Sequence, residues 1–309
     1  MSSAQDPAGG GGEQQIERPS LVSLHGVAMS EVFIENWAAV ESYQADPRDL
    51  LVVTYPKAGT TWVQEIVDAI LHEGDHAKCG RAPIHKRIPY LEFSFRGLLP
   101  SGIDSLAEMT SPKVIKTHLP FQLVPKSFLE QNCKIIYCAR NAKDNLVSYF
   151  HFDQMNKIQP EPGSWEEYFQ RFLQGNVTYG LWHDHVKGWW QVKDEHPILY
   201  IFYEDIKEDP RREIVKIMKF LGKELPDAVL DGIVQQTSFE SMKENPMTNY
   251  STVSDRYFDR SISLFMRKGT VGDWKNHFTV AQDEVFEEDY RRKMGDTDLR
   301  FRTELRGSQ

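Results

Sequence analysis

A lysine, a glycine and two threonines follow directly on an apolar run: Leu50 to Tyr55 reads LLVVTY, and Pro56-Lys57-Ala58-Gly59-Thr60-Thr61 comes next. These residue types suit an anion cradle. Backbone N–H groups converge at a helix N-terminus, where the helix dipole also favours negative charge. Gly59 permits a turn that a Cβ would obstruct. Lys57 adds a full positive charge, and the two hydroxyls add donors. The spacing differs from the G-x-x-x-x-G-K-[ST] phosphate loop, because here the lysine precedes the glycine by two positions. No accompanying acid marks a magnesium site, which disfavours a metal-dependent kinase.

Other residues carry compatible chemistry. His118 closes Lys116-Thr117-His118. An imidazole there titrates near neutral pH and can take a proton from a hydroxyl. Arg140 ends KIIYCAR, and Arg267-Lys268-Gly269 forms a late basic cluster. Arginine forks suit phosphate.

The surrounding elements place these groups together. LLVVTY, Lys113 to Pro120, Lys134 to Arg140 and His196 to Ile206 read as strands. WVQEIVDAILHEG reads as a helix stopped near Gly74, and NAKDNLVSYFHF as a helix with Asn141 as N-cap. A helix-like pattern also spans Val27 to Tyr43, and a long helical stretch spans Ser164 to Lys193. Apolar β-branched runs alternating with helices predict one α/β domain built on a parallel sheet. Ligands bind at the carboxyl edge of such sheets, where the cradle, Lys116 to His118 and Arg140 all fall.

Composition narrows the partners. The chain has 309 residues, with 36 basic against 45 acidic side chains, giving a formal charge of −9. Broad binding to nucleic acid or to an anionic membrane is disfavoured, so an anion must sit in a locally basic pocket. Three cysteines make no disulfide framework, and no apolar run reaches the length of a membrane span. The expected setting is a reducing, cytoplasmic compartment. Residues 1–20 read as a flexible tail, with the domain over 21–309. His183-Asp184-His185 resembles a metal pair, but positions i and i+2 do not share a helix face. It is read as surface, and no metal is expected.

Thr54-Tyr55-Pro56-Lys57-Ala58-Gly59-Thr60-Thr61-Trp62, together with Arg267-Lys268-Gly269 and Val271-Gly272-Asp273-Trp274-Lys275, resembles the cytosolic sulfotransferases. The likeness runs over residues 20 to 305 and is strongest to the phenol branch. Many members carry Ser where this chain has Ala58. The resemblance implies an α/β fold similar to nucleotide kinases. It implies transfer of a sulfuryl group from 3′-phosphoadenylyl sulfate (PAPS) to a small phenolic acceptor. A steroid, alcohol or arylamine acceptor is the alternative, and an ATP-dependent kinase a more distant one.

The resemblance also implies site residues. Lys57, Ala58, Gly59, Thr60 and Thr61 would hold the 5′ end of the donor. Trp62 would stack on adenine, although a tryptophan at this position equally suits a core anchor. Arg140, Ser148, Phe265, Met266, Arg267, Lys268 and Gly269 would contact the donor, chiefly its 3′-phosphate. Tyr203, Thr237, Phe239 and Met242 would surround the nucleotide. His118 is the expected general base, with Lys57 and Lys116 stabilising charge during transfer. Phe33, Tyr90, Phe93, Phe152 and Tyr250 would join Lys116 and His118 around the acceptor. The loop from Pro246 to Arg260 would cover the pocket. Lys275 to Glu284 fits KxxxTVxxxE, the family's dimerisation segment, and implies a weak homodimer with Val280 packing and Lys275 pairing Glu284 across the axis.

Overall fold

In the computed structural model, residues 16–96 and 99–305 are described. Of the expected tail, residues 1–15 lie outside them. Arg18 packs onto the domain, donating to the carbonyls of Asp153 at 2.8 Å and Gln154 at 2.9 Å.

Four parallel strands form the central sheet: β3 (Leu50–Thr54), β4 (Val114–Thr117), β5 (Lys134–Ala139) and β6 (Ile198–Phe202), in the order β4-β3-β5-β6. Every residue of β3 is buried. Its alternate side chains feed two cores: Leu51 and Val53 join Ile115, Ile135 and Tyr137, while Leu50 and Val52 join Ile136 and Cys138. Period-2 alternation on a sheet covered on both faces produces this division. The chain leaves β3 toward β4 on one side and later places β5 on the other. Their carboxyl ends therefore open a crevice at the switch point, where such sheets bind ligands.

Four helices matter most to the site. Helix α1 (Thr60–Leu71) follows β3, and α2 (Ala142–Met155) follows β5 with the Asn141 side chain accepting from Asp144 N–H. Helices α3 (Trp165–Gln174) and α4 (Trp182–Gln191) come before β6.

The structure corrects three expectations. Val27 to Tyr43 is not one helix. Val27–Ser30 is a strand (β2) paired antiparallel with Leu21–Leu24 (β1), and two short helices, Glu31–Ile34 and Trp37–Glu41, follow. Tertiary pairing overrides the apolar pattern there. The stretch Ser164 to Lys193 is two helices, because Gly175, at φ 76°, ends α3 and the Asn176 N–H turns back to the Arg171 carbonyl at 2.8 Å. His183 and His185 are not on the surface: both are buried on α4.

Candidate active site

Gly59 shapes the cradle. It caps α1 in the left-handed region at φ 102°, with no side chain to occupy the first-turn N–H groups, which are left for a ligand. A Cβ here would meet the Tyr203 ring at 2.9 Å. The preceding carbonyls are pinned. Asn145 Nδ2 donates to Pro56 O at 2.7 Å, Arg140 Nη1 to Lys57 O at 3.1 Å, and Cys138 Sγ–H to Ala58 O at 3.3 Å. With the carbonyls held outward, the turn presents its amides to an anion, apart from the Ala58 N–H, which donates to Tyr55 O at 3.2 Å.

A cavity of about 930 Å³ opens from this turn. All the predicted site residues line it except Ala58, which is buried beneath the turn. One end is basic. Lys57, Arg140, Lys207, Arg267 and Lys268 gather there, beside Thr60, Thr61, Trp62, Ser148, Tyr203, Thr237, Phe239, Met242, Met266 and Gly269. The Arg140 guanidinium lies over the Tyr203 ring at 4.3 Å and donates to Thr270 O at 3.1 Å, while its Nε is buried without a partner. Arg267 and Lys268 each contact Asp273 at 2.6 Å, and these cations hold its carboxyl well below the usual range against its burial. Trp62 is partly buried, edge-on to Tyr203, so it serves both the core and the cavity wall.

The other end is aromatic. Phe33 packs against Tyr90 at 5.7 Å and Phe93 at 6.4 Å. Phe152 meets Phe265 edge-on at 5.9 Å, and Phe265 lies 4.0 Å from Tyr250. Tyr250, Val253, Tyr257 and Phe258 bring the segment after Pro246 onto the wall. The Asp259 N–H bond to Met155 O at 2.8 Å anchors that segment to the end of α2.

His118 and Lys116 lie where the two ends meet, and Lys57 reaches there from the basic end. Lys57 Nζ sits over Phe265 at 3.9 Å and over Phe152 at 4.2 Å; Lys116 Nζ sits over Tyr90 at 4.2 Å. Burial, reinforced by the positive charges of Lys116, Arg140 and Arg267, lowers Lys57 to about 7. Burial lowers Lys116 to about 8, against the pull of Glu92. His118 is 7% exposed, and burial with the adjacent Lys116 charge holds it well below its ordinary 6.5. It is therefore neutral. Its Nδ1 lies 2.8 Å from the Thr54 carbonyl, an acceptor only, so Nδ1 carries the hydrogen and Nε2 keeps its lone pair.

Sequence reasoning missed the supports. Glu92 is a buried carboxylate that accepts from His118 N at 2.8 Å, Thr117 Oγ1 at 2.7 Å and Tyr179 OH at 3.0 Å. Tyr179 also bonds the Tyr90 hydroxyl and lines the cavity. Glu92 lies in a turn outside every strand and helix, so no periodicity marked it. Tyr179 sits at φ 74° in the turn between α3 and α4, a conformation unusual for a bulky residue. Val280, in the expected dimer segment, is 78% exposed, and Lys275 pairs with Glu304 of the same chain at 2.7 Å. Among the described residues, no group of three or more His, Cys, Asp or Glu is placed to hold a metal, and no helix is long and apolar enough to cross a membrane.

A crevice at the ends of parallel strands, with a helix start that no side chain caps and converging cations, suits an anionic ligand. The comparisons agree. The sulfotransferase domain family matches residues 47–298. Sulfotransferase 1C2 of Homo sapiens is 58% identical over 285 residues, covering 92% of this chain and 96% of that protein. Sulfotransferase 1A1 of Bos taurus is 53% identical over 292 residues, covering 94% and 99%. Mouse sulfotransferase SULT7A1 complexed with PAP is 32% identical with a TM-score of 0.74, covering 90% of this chain and 96% of that one. Retinol dehydratase in a complex with retinol and PAP is 25% identical with a TM-score of 0.80, covering 90% of each chain. This chain belongs to the sulfotransferase family and is a PAPS-dependent sulfotransferase.

Proposed function

We propose that the protein transfers the sulfuryl group of PAPS to the hydroxyl of a small phenol, a xenobiotic, hormone or catechol, with His118 as general base. The observation that carries this reading is the fixed His118 tautomer, whose free Nε2 belongs to a cavity that is basic at one end and aromatic at the other.

The cavity suits the donor on its own terms. Glycine occurs where a Cβ would crowd Tyr203, at Gly59, or overlap Phe239, at Gly269. The orphaned Arg140 Nε supplies a buried donor waiting for an acceptor. The first turn of α1, Lys57 and the Thr60 and Thr61 hydroxyls take the 5′ end. Arg140, Ser148, Arg267, Lys268 and Gly269 take the 3′-phosphate, which competes with Asp273 for Arg267 and Lys268. Trp62, Tyr203, Thr237, Phe239, Phe265, Met266 and Met242 enclose the adenosine, with Ala58 filling the floor.

PAPS supplies an activated sulfuryl group whose leaving group is a phosphate. A phenol held among Phe33, Tyr90, Phe93, Phe152 and Tyr250 presents its oxygen to His118 Nε2, which accepts the proton. Lys116 stabilises charge at the transferring group. Lys57, with the N–H groups of the turn, stabilises charge developing on the leaving phosphate. A sulfuryl group carries less charge than a phosphoryl group, which lessens the need for a divalent cation.

The three free, buried cysteines support a cytoplasmic setting. Val280 and the half-exposed Lys275 support a weak homodimer through the 275–284 segment, with Lys275 exchanging Glu304 for Glu284 of a second copy. On this reading residues 21–309 are the catalytic domain and the residues before them its tail, of which Arg18 is held against the domain. The test is turnover of PAPS with a panel of phenols, steroids and arylamines in the presence of EDTA. The expected result is a sulfated phenol formed fastest, without added metal. Transfer restricted to steroid alcohols, or a strict magnesium requirement, would overturn the reading.

A further inference from the structure

Helix α4 carries a buried group that the reaction scheme above does not use. His185 is 1% exposed and lies behind the β4 edge. Its Nε2 stands 2.9 Å from the His118 carbonyl, and its Nδ1 stands 2.8 Å from the Tyr137 hydroxyl. A carbonyl can only accept, so Nε2 carries the hydrogen. Nδ1 is then the acceptor, and the Tyr137 hydroxyl donates to it. Burial lowers His185 to about 4, which keeps the ring neutral. Its two bonds therefore run in one direction, from Tyr137 on β5 through His185 on α4 to His118.

Three groups now pin His118. Glu92 takes its N–H, His185 donates to its carbonyl, and the Thr54 carbonyl takes its Nδ1 hydrogen. Glu92 comes from the wall segment after Tyr90, Thr54 from β3 and His185 from α4. Only Nε2 is left for chemistry. Resting on the assignment of His118 as base, we infer that His185 is a positioning residue, whose Nε2–H fixes the backbone of His118 so that the base points at the acceptor.

Without that donor the His118 carbonyl is buried and unsatisfied, and the segment Thr117 to Leu119 must shift to find a partner. A displacement of about 1 Å at a reacting group costs about 100-fold in rate. The same shift opens His118 to water. The groups facing it are Lys116 on its own strand, Lys57 across the cradle, His185 behind it, the Glu92 carboxylate at its N–H and the Tyr90 and Tyr179 rings. Its depressed pKa comes first from burial and then from Lys116. Added water therefore raises it toward the ordinary 6.5.

The test compares His185→Gln with His185→Asn. A glutamine amide can reach the position of Nε2 and donate to the His118 carbonyl. An asparagine amide stops near the position of Nδ1, facing Tyr137. Both are polar and smaller than histidine, but asparagine leaves the larger void, so the comparison rests on the acid limb and on kcat of folded protein, with stability followed by chemical denaturation. For His185→Asn, the expected kcat falls by about 30-fold or more, and the acid limb of the kcat–pH profile moves upward toward 6.5. The Kd for adenosine 3′,5′-bisphosphate stays within about 3-fold, because no donor-binding residue moves. His185→Gln keeps kcat within about 5-fold and leaves the acid limb in place.

Equal losses in the two variants, or an asparagine variant with normal turnover and an unmoved acid limb, would overturn the inference. If the asparagine variant does not fold, a folded but inactive His185→Gln overturns it, and an active one with an unmoved limb upholds it. His118→Ala run alongside separates the two assignments. If it turns over normally, His118 is not the base and the fault lies there rather than with His185.

Discussion

Donor binding should draw a proton into the enzyme, and most of it should go to Lys57. Burial and the neighbouring cations lower Lys57 from 10.5 to about 7 in the ligand-free cavity. A phosphate placed on its ammonium restores the charged form, so the pKa rises on binding. The sign follows directly. Affinity is constant below the free-enzyme pKa and falls about tenfold per pH unit above it, until the bound-state pKa is reached. From a free value near 7, proton uptake at this site is about 0.1 at pH 6, about 0.5 at pH 7 and about 0.9 at pH 8. Lys116, lowered to about 8, adds to the total at the higher pH. The difference between wild type and Lys57→Met isolates the one lysine. The assay is titration calorimetry with adenosine 3′,5′-bisphosphate in buffers of contrasting ionisation enthalpy at the three pH values. A difference of zero at pH 8, with both proteins binding nucleotide, would refute this account of the cradle.

Three further outcomes are expected. Gly269→Ala combines a strained φ of 63° with a Cβ that overlaps the Phe239 ring; it should weaken nucleotide binding by at least about tenfold with little change in acceptor KM, measured by calorimetry and steady-state kinetics. Asp144→Ala removes the acceptor of Gly272 N at 2.8 Å and Trp274 N at 3.0 Å; chemical denaturation should read a loss of about 1–3 kcal/mol per abandoned N–H, and donor affinity should fall because these bonds tether the Arg267 loop. Val280→Glu places a charge on the exposed apolar tip of the 275–284 segment and should shift sedimentation to monomer while leaving kcat unchanged.

Much of this site was legible because its chemistry is local. The cradle is one short segment between a strand and a helix, and the residues of that turn alone indicate an anion. His118 and Arg140 were legible as strand-end residues, since a parallel sheet gathers such ends at one edge. What escaped was long-range. The carboxylate of Glu92 acts on His118, 26 residues away, and His185 reaches the same residue from 67 residues away. Helical spacing correctly separates His183 from His185, yet it does not reveal that α4 is buried on most of its circumference. The Val27 to Tyr43 pattern failed because a β-hairpin and two short helices satisfy the same apolar spacing. The break at Gly175 escaped because the glycine was not read as a helix stop, although its left-handed φ of 76° ends α3 there.

The central claim is that His118, neutral and fixed in one tautomer, accepts the phenol's proton as the sulfuryl group moves. Rapid-quench single turnover tests it most directly, with enzyme pre-loaded with PAPS and mixed with a phenol. Wild type should form one aryl sulfate per bound donor in a single fast phase. His118→Gln should bind PAPS normally and form the product slower by orders of magnitude. A fast phase of wild-type rate and amplitude in His118→Gln would contradict the account.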